Sequence, residues 1–164
     1  MLKILAEQIS DTRISAFIQN VLWIIPTVQT VHILAIAVVL SSVAMIDLRI
    51  LGLVGKNQPM EEVADRFVPW VWVALVVLAI SGVILVAGEP VRSLPNPAFQ
   101  LKMAMLLCAI TVTAAFQMTV RRNMPAWADG ANPALGMRVF AVATFCLWVA
   151  IAVAGRWIAY IEVL

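Results

Sequence analysis

The stretch Trp23–Gly52, WIIPTVQTVHILAIAVVLSSVAMIDLRILG, decides the fold. It opens on an aromatic residue and Pro26, runs through apolar and small residues without a charge, and closes on Asp47, Leu48 and Arg49. A helix of ~20 residues rising ~1.5 Å per residue covers the ~30 Å hydrocarbon core of a bilayer, so a run of this length and polarity reads as a transmembrane helix. Within it stands His32, the single histidine of the chain. An ionisable side chain inside such a helix is costly to desolvate, and for that reason it points to function.

The rest of the chain repeats the pattern. A sequence that is 63% hydrophobic and 12% charged, with a mean hydropathy of +1.00, is not an ordinary soluble domain, whose apolar share is about 45–50%. The net charge of +2 is spread through the loops and implies no nucleic-acid partner. Cys108 and Cys146 lie in apolar runs, without CxxC spacing or companion histidines. They read as small buried hydrophobes rather than a disulfide or zinc site. Met1 to Asn20 holds no apolar core long enough for a cleaved signal peptide, so the spans themselves would target the chain to the membrane.

Working outward, residues 1–20 place Leu2, Leu5 and Ile9, then Ile14, Phe17, Ile18 and Val21, at helical intervals between charged residues. This predicts an interfacial amphipathic helix lying on the bilayer, with Ser10 or Asp11 capping a fresh helix. The first span is expected over about 21–46. Pro59 with Glu61 and Glu62 predicts a new helix start, and Met60, Val63, Ala64 and Phe67 form its apolar stripe. That helix leads into a second span over 69–87, with Pro69 at the junction as a kink. Asn96 and Pro97 open a third span, 99–118, which Arg121 and Arg122 close, and Asn132-Pro133 precede a fourth, 137–160. The expected architecture is all-α, a four-transmembrane-helix bundle over 21–164 behind an amphipathic helix over 1–20. Trp23, Trp70, Trp72, Trp127, Trp157 and Tyr160 fall near span ends as an aromatic belt, and Trp148, mid-span, is expected inside the bundle. The four spans put both termini on one side. The positive-inside rule favours Arg49, Lys56, Arg66, Arg121, Arg122 and Arg138 as cytoplasmic, leaving the termini outside.

This topology gathers a candidate site. His32 lies ~15 Å along its helix from the surface where that helix begins, and Gln29 shares its face. Span three begins at the same surface with Lys102, and span four ends there with Arg156. A neutral imidazole at depth with cations above it suits haem b, whose iron takes an axial imidazole and whose propionates need cationic partners. A quinone or porphyrin substrate would also suit it. Copper is a further possibility through soft sulfur ligands, though no MxxM or CxxC pattern gathers the eight methionines and two cysteines. With one histidine, the second axial ligand would be a methionine such as Met45 or Met105, or the iron would be five-coordinate, or two chains would share one haem.

Other readings stand beside this one. His32 could instead hydrogen-bond a neighbouring helix or relay protons, and Lys102 and Arg156 could snorkel to the interface. Asp47, ~22 Å along the axis from His32, is expected to mark the opposite water boundary with Arg49. Thr27, Thr30, Ala37, Ser41 and Ala44 suit close packing on another helix, within or between chains.

The segments PTVQTVHILAIAVVLSSVAMIDLRILG (26–52), NPAFQLKMAMLL (96–107) and AGRWIAYIE (154–162) resemble a group of uncharacterised bacterial four-helix membrane proteins over nearly the whole chain. More distantly, a histidine in the first span and a lysine opening a later one resemble CopD-type copper-resistance membrane proteins and the bacterial membrane-bound protoporphyrinogen oxidase, which binds haem b. The further histidines of copper-handling relatives are absent here. This resemblance implies a multi-pass protein of the bacterial inner membrane, with His32 and Lys102 as the positions to carry over. The leading expectation is a redox-linked haem-b protein using His32, with Gln29, Lys102 and Arg156 around the site. Its partners would be the bilayer, a second copy and a membrane redox protein. The alternative is a non-enzymatic membrane subunit or scaffold whose polar residues lock helices together.

Overall fold

The structure is a computed structural model that describes residues 2–55, 58–128 and 135–157. Seven helices follow one another among these residues: α1 (Leu2–Ser10), α2 (Arg13–Asn20), α3 (Ile24–Ile50), α4 (Met60–Gly88), α5 (Pro90–Ser93), α6 (Pro97–Ala128) and α7 (Leu135–Trp157). Four of them, α3, α4, α6 and α7, are long and apolar enough to cross a bilayer. The expected all-α, four-span membrane bundle is the observed fold.

Local chemistry explains the helix ends. Pro26 sits in the first turn of α3, where its missing N–H breaks no helical bond. At the other end Gly52 takes φ 72°, a left-handed value that glycine adopts freely. This lets the Leu53 N–H reach the Leu48 carbonyl at 3.0 Å and the Gly52 N–H reach Arg49 at 3.1 Å, a Schellman closure. Buried Asn96 accepts the Ala98 N–H at 2.9 Å and caps α6, as its place before Pro97 predicts.

The structure shifts several boundaries. The N-terminal region is two helices, and the cap between them is Thr12 rather than Ser10 or Asp11. The Thr12 hydroxyl donates to the Ile9 carbonyl at 2.7 Å and accepts the Ser15 N–H at 3.3 Å, closing α1 and opening α2 together. The stripe of Met60, Val63 and Ala64 is buried as expected, but it is the first two turns of α4, which passes through Pro69 without a break. Helix α6 continues past Arg122 to Ala128. Lys56, Asn57, Asp129-Gly130, Asn132-Pro133 and Tyr160 lie outside the described residues, as do the side chains of Arg121, Trp127 and Trp157.

Packing places α3 along α4 and α6 along α7. Helix α3 also meets α7, and a slimmer α4–α6 contact closes the ring. Val39, Val43, Val71, Ala74, Ala109, Trp148 and Ile151 fill the middle of the bundle, with Trp148 inside it as its mid-span position predicts. Ile46, Ile50, Met60, Ala64, Val68, Phe116 and Ala141 fill the end where α4 begins. At most 33% of any span's most apolar window is buried inside the chain, so the outward faces, Ile33, Leu34, Val76 and Ile80 among them, meet hydrocarbon. Cys108 and Cys146 are on these exposed faces, not in the core. Their apolar surroundings in the sequence are lipid-facing residues, and an apolar run cannot distinguish a lipid-facing position from a core one. Thr27, Thr30, Ala37 and Ser41 are exposed as well.

Helices α1 and α2 close the opposite end. Helix α1 packs on α5, and α2 packs on α4 and α3. Ser15, fully buried, donates to the Ala87 carbonyl at 2.7 Å and accepts from the Gln19 amide at 3.0 Å. Gly88 allows this approach, since a Cβ there would lie 3.1 Å from Ile18. Ile4, Leu5, Ile14 and Phe17 remain exposed on the other side, an apolar face suited to the bilayer surface.

Candidate functional site

The bundle interior holds two polar groups at different depths. The first lies in the half capped by α1 and α2. His32 on α3 is half-buried, and its Nδ1 stands 2.7 Å from the Ser81 hydroxyl on α4. Ser81 has one proton, and its oxygen stands 2.6 Å from the Val77 carbonyl, which can only accept. The hydroxyl therefore donates to Val77 and accepts from the imidazole, so Nδ1 carries the proton and Nε2 keeps its lone pair. Gly82 faces the ring, with a Cβ position 3.7 Å from His32 Cε1.

Lys102 reaches this half from α6. It is half-buried and lies across α7 at Gly155, where a Cβ would come 3.0 Å from its Nζ and 3.3 Å from its Cε. Arg156 follows Gly155 at the same level but is exposed, and Gln29, one turn before His32, is exposed too. Of the four residues expected at the site, His32 and Lys102 are each half-buried in this half of the bundle, and Gln29 and Arg156 are exposed. Ser81 is the member that sequence reading missed. Its only signal is a hydroxyl beside a glycine in an otherwise apolar run.

The second group was not anticipated. Asp47, expected at the water boundary, is buried at 3% exposure because α3 runs on to Ile50 with α4 and α7 packed on it and side chains of α6 lining the same cavity. Among the described residues neither carboxyl oxygen has a hydrogen-bond partner. Asp47 lines a small cavity with Val43, Ile46, Thr113, Phe116, Gln117 and Thr144. Around it, Trp148 Nε1 donates to Thr113 Oγ1 at 3.1 Å, Trp72 Nε1 donates to Gln117 Oε1 at 3.0 Å, and Thr144 donates to the Phe140 carbonyl at 2.9 Å. The two indoles tie α7 to α6 and α4 to α6, while α3 contributes only the unpartnered carboxyl. The signal was present in the i, i+4 pairs Thr113/Gln117 and Thr144/Trp148, each a polar stripe on one face of a span.

Four apolar helices around an interior with two polar levels define a multi-pass membrane protein. The chain belongs to a family of unknown function, DUF6644, whose model matches residues 12–161. Comparison with curated proteins and with solved structures finds no match.

Proposed function

We propose that this membrane protein binds haem b in a redox-linked role, with His32 as axial ligand. The observation that carries this reading is the fixed imidazole. With Nδ1–H held by Ser81, whose own proton is committed to Val77, Nε2 is the basic nitrogen free to bind a metal. Histidine ligands are commonly oriented in this way by a second hydrogen bond. Among the described residues no three His, Cys, Asp or Glu side chains come together as a metal-binding group. One imidazole can hold a metal firmly only if the metal arrives with other donors, as a porphyrin iron does. Lys102, half-buried nearby, and Arg156, exposed at the same end, supply positive charge for the propionates. When bound, haem would supply one-electron chemistry. The chain's own part is to orient the imidazole, neutralise the carboxylates and exclude water.

A second reading is favoured by the same 2.7 Å contact. His32 and Ser81 join α3 to α4, and a bond of that kind can act purely as an interhelical tie in a scaffold subunit. A reduced-minus-oxidised absorption spectrum of the full chain, purified in mild detergent from a haem-sufficient host, separates the two. A b-type signal lost in His32→Ala supports the haem reading. Absence of the signal, with a fixed partner protein co-purifying, supports the scaffold.

A further inference from the structure

We propose that α1 and α2 form a lipid-binding surface seated at the acyl-chain boundary of one bilayer leaflet, held there by apolar contact rather than by charge. The fold decides which faces of the two helices turn away from the bundle. Ala6, Ser15 and Ile18 are buried. The Ser15 hydroxyl donates to the Ala87 carbonyl at 2.7 Å, next to Gly88, where a Cβ would lie 3.1 Å from Ile18. The Thr12 hydroxyl, bonded to Ile9 and Ser15, fixes the joint between the two helices. With those positions turned inward, Ile4, Ile14 and Phe17 are left on the outside, each more than half exposed. Large apolar side chains held outward on short helices need a cover other than water.

Chain length and continuity both make lipid the occupant. Only Val21 to Trp23 separate the end of α2 at Asn20 from the start of α3 at Ile24. At ~3.6 Å per residue at most, this link holds the end of α2 within roughly 14 Å of the first turn of a membrane span. Helix α1 packs on α5, the link between the end of α4 and the start of α6, so both helices stay at the surface where these spans end. Along the chain, Leu22 and Trp23, 89% and 68% exposed, carry the outward apolar surface from Phe17 to Val31 and Leu34 on the lipid-facing side of α3. A tryptophan at a span end suits the membrane interface. Charge adds no attraction of its own. Lys3, Glu7, Asp11 and Arg13 are all exposed, two cations against two anions, so the side chains of α1 and α2 offer no net positive charge to anionic headgroups. A helix held by its apolar face lies about 5–10 Å into the boundary between headgroups and acyl chains.

The test uses the full chain with Cys108→Ala and Cys146→Ala, reconstituted in phosphatidylcholine vesicles. A polarity-sensitive fluorophore is attached to one introduced cysteine at a time, Ile14→Cys, Phe17→Cys, Glu7→Cys or Asp11→Cys. Labels at positions 14 and 17 should lose fluorescence to lipids brominated on the acyl chain and be shielded from aqueous iodide. Labels at positions 7 and 11 should show the reverse. Adding anionic phosphatidylglycerol should change neither pattern. Positions 14 and 17 are read separately, so either carries the result if the other variant fails to fold. Equal iodide quenching at all four positions overturns the proposal. So does lipid quenching that appears only with phosphatidylglycerol, because charge would then be the anchor. Shielding of positions 14 and 17 from both quenchers overturns it as well, since a protein partner or a second copy of this chain would then cover the face.

Discussion

The two halves of the bundle interior treat their polar residues in opposite ways. In the His32 half, imidazole and hydroxyl are paired in a chain that ends on a backbone carbonyl, and the site is only half-buried. In the Asp47 half, two indoles and two threonines are satisfied, yet the one acidic group they surround is fully enclosed and unpartnered. The first arrangement orients a nitrogen toward whatever comes next, and the second leaves a buried carboxyl without a hydrogen-bond partner. Polar residues at two depths of one small bundle therefore differ less in chemistry than in what remains unsatisfied. That residue of unmet bonding is what points to function.

The comparison can be broken first on packing. Trp148 is 4% exposed and anchors the Asp47 half, so Trp148→Ala should cost about 3–5 kcal/mol in detergent unfolding. The more conservative Trp148→Phe, which deprives Thr113 of its donor, should cost about 1 kcal/mol. A cost for Trp148→Ala as small as that of a lipid-facing substitution would remove the distinction between a close-packed and a half-open half. Next in size, Ser81→Ala should cost about 0.6 kcal/mol, and at most ~1.7, in line with interhelical hydrogen bonds in membranes. Its sharper readout is the ¹⁵N spectrum of His32. Nδ1 should be protonated in the wild type and the tautomers mixed in the variant, whereas an unchanged spectrum means Ser81 does not set the proton.

How much of this was legible in the sequence follows from what bilayers demand. Four spans, the Asn96 cap and the interior place of Trp148 could be read because length, hydropathy and capping chemistry are local. That His32 and Lys102 fall in the same half of the bundle is what the topology implies, since the first and third spans begin at the same surface. Asp47 was misplaced because a charged residue near the end of an apolar run looks the same whether water or a neighbouring helix lies beside it. Only the packing of the neighbouring helices, α4 and α7, against α3 decides which. Cys108 and Cys146 were misplaced for the related reason that lipid and protein core are equally apolar.

Two smaller effects refine the picture. Gly155→Ala should displace Lys102, whose flexible side chain can move at a cost of under about 1 kcal/mol. Amine-reactive labelling of Lys102 should then rise, and unchanged labelling would show that the lysine does not lie across α7. Smallest of all, Cys108→Ala and Cys146→Ala should each change stability by no more than about 0.5 kcal/mol. A membrane-soluble maleimide should label both thiols in the folded protein, while protection of either would place it in an interface.

The most direct test of the account is the haem content per chain of the purified wild type and of His32→Ala, measured as the pyridine haemochrome. The account predicts a fixed stoichiometry in the wild type, one haem per chain or one per two chains, and its loss in His32→Ala with the helical content unchanged. A wild-type protein from a haem-sufficient host that carries none, or a variant that retains the full amount, would contradict it.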